Sequence, residues 1–302
     1  PAERTLEPYR GYGAWVDVFD YSPPYAGDPP PVTPGVVAEM ADVGVRTVFV
    51  QAARLDERSP RGLEDPWLLA EWLVRGHRAG LSVVGWYLPK WADVAGEADT
   101  RRLAALADFT VLGERFDGVA VDIEWTADGL DPLARGERLV VVSARLRAHV
   151  GDDPLGAIVL PPVLTEVVNT DYWPEFPWDR LAGLYDVWLP MSYWSFRSER
   201  SGYGDGYAYH LESVERLRRD LGDPAAPVHG IGGIGGVDGV DDPPDPPEPL
   251  ATLDEIEAFA AALADSGSVG GSIYDWRTLE PSVRARVAEM IAGAVQATTS
   301  SP

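Results

Sequence analysis

Apolar runs of strand length alternate with segments of helical periodicity along most of the chain. Eight runs can be distinguished, and a segment with apolar residues at helical spacing follows each of them. Such an alternation over about 280 residues predicts parallel strands closed into a single-domain (β/α)8 TIM barrel of the α/β class. The predicted strands are 13–20, 45–51, 81–88, 117–125, 156–163, 186–194, 228–234 and 269–276, and the predicted helices are 35–43, 67–79, 99–112, 133–149, 178–185, 208–221, 253–265 and 281–295.

Residues that start or stop helices stand at several of the predicted boundaries. Thr33, followed by proline, can start the first helix, and Gly80 and Gly151 can end the second and the fourth. Thr252 and Glu255 have the spacing of a capping box at the start of the seventh. These signals support the alternation that the apolar pattern predicts.

An open doubly wound sheet is the main alternative to the barrel. That fold normally has a glycine-rich phosphate turn after its first strand, where this chain has the proline-rich sequence DYSPPYAGDPPP. The glycine cluster GIGGIGG at 230–236 lies within the seventh predicted strand, which favours tight packing over nucleotide binding. The proline- and aspartate-rich loop 237–251 leaves that strand, and it is either a solvated insertion or a rim over the barrel mouth.

The predicted domain organisation is simple. Residues 11–296 form the catalytic barrel, including the loop 237–251, and residues 1–10 and 297–302 are expected to be flexible tails. No apolar run approaches the roughly 18 to 20 residues that span a bilayer. From the composition of the tails we expect a protein that is secreted or tethered to the cell surface, without insertion into a membrane.

Charge and composition limit the classes of partner that the protein is expected to bind. The formal net charge of −23 disfavours nucleic acid and anionic membranes, because both would be repelled. The 11 tryptophans and 12 tyrosines supply flat amphipathic surfaces that suit sugars. The chain has no cysteine, its four histidines lack metal-ligand spacing, and no GxSxG motif occurs. We therefore predict a carbohydrate partner, with no metal or cofactor required.

Two carboxylates stand at the end of the fourth predicted strand, in the sequence FDGVAVDIEW. Because side chains alternate along a strand, Asp122 and Glu124 share the face opposite Val121 and Ile123. With the apolar face toward the helices, both acids point into the barrel, and Glu124 reaches the mouth where barrel active sites form. Charge repulsion would keep one of them, most usefully Glu124, protonated as a general acid.

An ion pair is the alternative explanation for these buried acids. Arg54 or Lys90, from neighbouring strands, could neutralise them without any chemistry. No basic residue lies on the strand that carries the acids, and the pair stands at the barrel mouth, so we favour catalysis.

The sequence FDGVAVDIE resembles the fourth-strand signature DGxDxDxE of the family 18 glycoside hydrolases, the chitinase-like barrels. Asp117, Gly118, Asp122 and Glu124 match, and Ala120 replaces the middle aspartate. The resemblance implies that Glu124 protonates the glycosidic oxygen. It also implies that Asp122 orients the substrate's 2-acetamido group, which acts as the internal nucleophile.

Two further motifs extend the resemblance. MSYW at 191–194 is similar to the family's sixth-strand MxY motif, which implies that Tyr193 supports the reacting acetamido group and places Met191 in the substrate site. GGSIYDW at 270–276 is similar to the eighth-strand GGxMxW motif, whose tryptophan forms the floor of the sugar pocket. Asp275 stands at the tryptophan position and Trp276 follows it, so a bulge is needed to place Trp276 in the floor.

The departures from the family motifs at Ala120 and Asp275 argue against an N-acetylhexosamine substrate more than they argue against glycoside chemistry. Without an acetamido group, a protein nucleophile or base is needed, and Asp17, Asp20 and Asp275 are the candidates. We predict a glycoside hydrolase acting on an oligo- or polysaccharide, with a catalytically inactive carbohydrate-binding barrel as the alternative. The remaining predicted substrate-binding residues, all near strand ends, are Gln51, Arg54, Trp86, Trp125 and Trp194.

Overall fold

Eight parallel strands form a closed barrel in the computed structural model, which describes residues 3–59, 62–126, 129–197, 201–233 and 251–299. Each strand pairs with its neighbours in the sequence, and the last pairs with the first, so the predicted (β/α)8 fold is confirmed. The strands are β1 (Gly11–Val16), β2 (Thr47–Arg54), β3 (Ser82–Leu88), β4 (Gly118–Ile123), β5 (Leu155–Val159), β6 (Val187–Ser192), β7 (His229–Gly232) and β8 (Gly270–Ile273).

A helix follows each barrel strand. The Thr252–Glu255 capping box forms as predicted, and Gly151 ends its helix with φ of +64°. The helix expected over 99–112 ends at Asp108, because a short hairpin of Thr110–Val111 and Glu114–Arg115 follows. The helices are α1 (Val37–Asp42), α2 (Pro66–Arg78), α3 (Glu97–Asp108), α4 (Pro132–Val150), α5 (Trp178–Leu181), α6 (Gly206–Leu221), α7 (Leu253–Asp265) and α8 (Pro281–Thr299).

Short helices occupy several connections at the carboxyl ends of the strands. Two of them, Val18–Tyr21 and Pro23–Ala26, come directly after β1, and a π-helix, Leu164–Val168, follows β5. No described helix combines the length and apolar character that a membrane span would need.

The amino-terminal segment closes the lower end of the barrel, which corrects the prediction of a flexible tail for residues 3–10. Tyr9 is fully buried, and its hydroxyl donates to the carbonyl of Val119 at 2.8 Å. Gly118 and Gly156 leave room for this ring, since a Cβ on either would lie within 3.0 Å of it. Arg4 fixes the segment further by donating to the carbonyl oxygen of Phe116.

The glycines of β7 serve close packing, as the sequence predicts. A Cβ on Gly230 would approach the His210 ring to 2.5 Å, and one on Gly232 would approach Phe259 to 2.6 Å. The loop 237–251, apart from Ala251, lies outside the described residues. At the other end of the chain, residues 297–299 continue α8 instead of starting a tail.

Candidate active site

A cavity of about 280 Å³ lies at the carboxyl ends of the barrel strands. A larger cavity of about 570 Å³ lies between the segments that follow β1 and β2. The smaller cavity is the candidate active site, because Asp122 and Glu124 both line it, as the alternation along β4 predicts. Gly118 and Ala120 lie below them on the same face of the strand, so the acids stand above small residues.

Burial dominates the electrostatics of the acid pair. Asp122 is only 5% exposed, and its Oδ1 has no hydrogen-bond partner among the described residues. Burial raises the pKa of Asp122 well above its ordinary value, and the charge of Glu124 raises it further. The pKa of Glu124, which is less completely enclosed, is also raised by burial. Both shifts favour the protonated form, and the shift is more pronounced at Asp122, whereas the sequence argument placed the proton on Glu124.

Arg54 reaches the same cavity because of an irregularity in β2. The register with β3 shifts between Gln51 and Ala53, so Ala52 is an extra residue and the alternation restarts after it. Gln51 and Arg54 consequently both face the cavity, although they are three positions apart and would lie on opposite faces of a regular strand. Arg54 lowers the pKa of Asp122 and of Glu124.

No contact among the described residues supports the ion-pair explanation for the two acids. Arg54 forms no ion pair within 4.0 Å with either acid, and its guanidinium carbon lies 4.9 Å from the ring centroid of Phe19. The Lys90 ammonium lies 4.9 Å from the ring centroid of Trp125. Both cations thus approach aromatic rings at the mouth, and the acids keep no paired cation.

Three aspartates cluster on the β1 and β8 side, but only Asp17 lines the cavity. Its Oδ2 accepts from the Tyr274 hydroxyl at 2.6 Å, and its Oδ1 accepts from the backbone N–H of Phe19 at 2.7 Å. Burial, followed by the charges of Asp17 and Asp275, raises the pKa of Asp20 to about 9. Burial and the charge of Asp17 raise the pKa of Asp275 to about 6.

Hydrogen bonds from the protein backbone hold the three-aspartate cluster in place. The carboxylate oxygens of Asp17, Asp20 and Asp275 come within 4.8 Å of one another, a spacing that could hold a metal ion. Each also accepts a hydrogen bond from a backbone N–H: Asp20 from Asp17 at 3.1 Å, and Asp275 from Thr278 at 2.8 Å. These bonds cap the turns after β1 and β8, so the cluster has a structural role in the walls of the cavity.

Tyr193 and Tyr274 form an aromatic wall beside the acids. Their ring centroids are 5.9 Å apart, and both residues line the cavity. Burial and then the charges of Glu124 and Asp122 raise the pKa of Tyr193 well above its ordinary value, so its phenol stays protonated. The neutral phenol therefore lies next to the acid pair, where the family 18 resemblance placed it.

Two predicted tryptophans lie behind the cavity walls instead of lining them. Trp276 is buried beneath α8, where the guanidinium carbon of Arg284 lies 4.1 Å from its ring centroid. Trp194 packs against Phe259 of α7, with ring centroids 5.3 Å apart. The aromatic surface that the sequence assigned to Trp276 is supplied by Tyr274, two residues earlier.

Nine of the thirteen predicted site residues line the cavity, and four lie behind it. The nine are Asp17, Gln51, Arg54, Trp86, Asp122, Glu124, Trp125, Met191 and Tyr193. The four are Asp20, Trp194, Asp275 and Trp276. Six lining residues were not predicted: Trp15, Phe19, Leu88, Ile158, Ile231 and Tyr274. Alternation along β1 could have identified Trp15, because it lies two residues before Asp17.

Comparison with known proteins identifies the fold. No protein-family model matches the chain, and a search of curated proteins finds no significant match. Among solved structures, an endo-1,4-β-D-mannanase from Thermotoga petrophila has a TM-score of 0.59 at 11% identity, with 93% of this chain and 100% of that chain covered. A chitinase from Rhizomucor miehei has a TM-score of 0.59 at 12% identity, with coverage of 94% and 100%.

A family 18 chitinase from Cycas revoluta, in complex with allosamidin, has a TM-score of 0.58 at 10% identity, covering 95% of this chain and 99% of that chain. At these identities the likeness concerns the fold. The chain thus has a chitinase-like TIM-barrel fold, of a kind that glycoside hydrolases use.

Proposed function

We propose that the protein is a glycoside hydrolase that cleaves glycosidic bonds in an oligo- or polysaccharide, with Glu124 as proton donor and Asp122 as its assistant. One observation carries the proposal: two acids with raised pKa values share a cavity at the barrel mouth, and no cation of the described residues pairs with them. A carboxylic acid kept protonated near neutral pH is what general acid catalysis of glycoside cleavage needs. The aromatic rings of Trp15, Trp86 and Trp125 suit the C–H faces of a sugar.

Glu124 is the member of the pair that can reach the substrate, because it lies nearer the opening than Asp122. It donates its proton to the glycosidic oxygen as the bond from that oxygen to the anomeric carbon breaks. In this proposal both acids enter the step protonated, because both pKa values are raised. After the transfer Asp122 shares its own proton with the Glu124 carboxylate, which limits the negative charge that develops inside the barrel. The mechanism uses no cofactor.

The nucleophile depends on the sugar. The chitinase-like resemblance implies a 2-acetamido group of the substrate, with Tyr193 donating to it. For a sugar without that group, Asp17 is the protein candidate, because it is the one member of the three-aspartate cluster that lines the cavity. Asp20 would act by holding the turn on which Asp17 stands, and Asp275 by holding its own turn after β8.

The test compares wild type with Glu124→Gln on a panel of aryl glycosides and polysaccharides. Loss of a general acid should lower kcat by about 10² to 10⁴-fold, with circular dichroism and thermal unfolding largely unchanged. Glu137→Gln is the control, since Glu137 is an exposed glutamate that pairs with Arg180 outside the cavity. Equal rates for wild type and Glu124→Gln would remove Glu124 from the mechanism.

A carbohydrate-binding barrel without activity is the second candidate, favoured by Ala120 in place of the motif's middle acid. It predicts that wild type and Glu124→Gln bind the same glycans and that neither turns them over. Secretion or attachment at the cell surface, where polysaccharides occur, stays a prediction for either candidate.

A further inference from the structure

Arg54 has a guanidinium group that the protein leaves without a polar partner. Among the described residues it forms no hydrogen bond and no ion pair, and its guanidinium carbon lies 4.9 and 5.7 Å from the ring centroids of Phe19 and Tyr25. Arg58, whose guanidinium carbon lies 4.0 Å from the ring centroid of Tyr25, donates two hydrogen bonds from its side chain to Asp56, each at 3.0 Å. Two neighbouring arginines thus differ: Arg58 is paired, and Arg54 faces the cavity unpaired.

Two further donors around the same cavity are buried without a partner. Gln51 is 1% exposed and Trp86 is 4% exposed, and both line the cavity. The Oε1 of Gln51 accepts from the backbone N–H of Val18 at 3.1 Å, which fixes the amide and leaves its Nε2 unpaired. The indole Nε1 of Trp86 and the Nε of Arg54 also lack partners. A buried donor without an acceptor costs about 1 to 3 kcal/mol, which an acceptor on a ligand would recover.

These unpaired atoms specify the ligand's chemistry. Among the fully buried side-chain atoms of the described lining residues, three donors, on Gln51, Arg54 and Trp86, and one acceptor, Oδ1 of Asp122, have no partner. The ligand must therefore bring several acceptor oxygens to the Arg54 side of the cavity. A guanidinium matches a carboxylate best, because its planar array of N–H groups fits two carboxylate oxygens at once.

The acids in the cavity do not cancel this preference. Burial raises the pKa values of Asp17, Asp122 and Glu124, which reduces their negative charge. A guanidinium, by contrast, stays positively charged in proteins. The formal net charge of −23 repels acidic glycans at long range, so the preference must come from direct contact and not from electrostatic steering.

We propose that Arg54, with Gln51 and Trp86, binds the carboxylate of a uronic acid unit, so that the glycan recognised by this cavity is acidic. The inference rests on the proposed function for turnover, but binding of the carboxylate can be measured without it. A charge-assisted contact of this kind should favour the free acid over its methyl ester by about tenfold, which corresponds to about 1.4 kcal/mol.

The experiment titrates wild type with D-glucuronate, D-galacturonate, their methyl esters and D-glucose, and measures affinity by protein NMR shifts. These monosaccharides contain no glycosidic bond between sugars, so hydrolysis does not interfere. We expect at least one uronate to bind about tenfold tighter than its ester, and Arg54→Gln to remove that difference. Arg54→Lys should keep part of it, because it retains the charge and loses the planar array. Arg58→Gln is the matched control and should bind as wild type does.

Three results would overturn the proposal: uronates that bind no better than their esters, a preference that survives in Arg54→Gln, or a preference lost equally in Arg58→Gln. Thermal unfolding of each variant shows that its fold is intact, and Arg54→Lys serves if Arg54→Gln is unstable. Uronate binding through Arg54 in a protein that hydrolyses no glycoside would leave this inference standing and reject the hydrolase. Hydrolysis restricted to neutral glycans would leave the hydrolase proposal standing and reject this inference.

Discussion

His229 at the lower end of the barrel and two polar side chains at its mouth differ in how their buried atoms are paired. At the lower end, His229 donates from Nδ1 to the carbonyl of Tyr9 at 2.8 Å, and its Nε2 accepts from Ser272 at 3.0 Å. The Ser272 hydroxyl also accepts from the indole N–H of Trp15 at 2.7 Å. At the mouth, by contrast, Oδ1 of Asp122 and Nε2 of Gln51 are buried without partners.

The paired groups of the lower end and the unpaired groups of the mouth contribute differently to stability and to function. Paired polar groups at the lower end fix one arrangement of the interior, whereas unpaired groups at the mouth cost stability and suit a ligand that can satisfy them. The two ends also titrate in opposite directions. Burial lowers the pKa of His229 to about 4 and raises that of Asp122, so acid should destabilise the lower end and relieve the mouth.

The largest effect is expected from removing the ring that closes the lower end. Tyr9→Ala should lower the free energy of unfolding by about 3 to 5 kcal/mol, because Tyr9 is fully buried against Gly118 and Gly156. Tyr9→Phe, which keeps the ring and loses the bond to Val119, should cost about 1 to 3 kcal/mol. Urea unfolding measures both. A cost for Tyr9→Ala near zero would mean that residues 3–10 are not part of the folded barrel.

His229 should make the lower end sensitive to acid. The pKa of this buried histidine falls from 6.5 to about 4 on folding, so between those pH values only the unfolded chain binds the proton. Stability from this group is therefore present above about pH 6.5 and is lost as pH falls, by about 1.4 kcal/mol per pH unit.

His229→Gln removes that contribution to the slope. Urea unfolding of wild type and variant at pH 5 and 6.5 should show the shallower dependence in the variant, and His149→Gln is the control because His149 is partly exposed on α4. Parallel pH dependences would contradict a neutral His229.

The strands and the inward direction of the acid pair were predictable because both follow from local patterns. Apolar runs gave the eight strands, and alternation along β4 placed Asp122 and Glu124 inside. Tyr9 escaped prediction because a short segment rich in charge and proline looks like a tail, and its packing against Gly118 depends on distant parts of the chain. Trp276 was misplaced because the chain leaves strand geometry after Ile273, where alternation no longer applies.

The matched motif also mixes two kinds of residue. The Oδ2 of Asp117 accepts from the backbone N–H of Val83 at 2.7 Å and contacts Nε2 of His77 at 2.9 Å, far from any role in the cavity. Gly118 is needed for the Tyr9 ring. Half of the four matching positions therefore serve the barrel's construction, and the catalytic part of the resemblance depends on Asp122 and Glu124.

Asp122→Asn should stabilise the protein while lowering its proposed hydrolytic activity. This outcome would sharpen the contrast between the lower end of the barrel and its mouth. The raised pKa means that stability from the protonated acid is present at low pH and lost as pH rises above about 4 toward neutral. The amide cannot ionise, so the variant should gain about 1 to 3 kcal/mol over wild type at pH 8 and less at pH 5. Glu124→Gln should gain less, because Glu124 is more exposed. Urea unfolding at both pH values checks the order, and a variant less stable than wild type at pH 8 would contradict it.

The smallest effect is expected outside the mouth, at Trp67. This side chain is 81% exposed on α2, and it lines the larger cavity. Trp67→Ala should change the free energy of unfolding by less than about 0.5 kcal/mol and leave sugar affinity unaltered. The fully buried Trp72, one turn and a half along the same helix, is the matched control, and Trp72→Ala should cost about 3 to 5 kcal/mol. If Trp67→Ala weakened sugar binding, the recognition surface would extend into the larger cavity, and the contrast between His229 and the polar groups at the mouth would describe only part of the site.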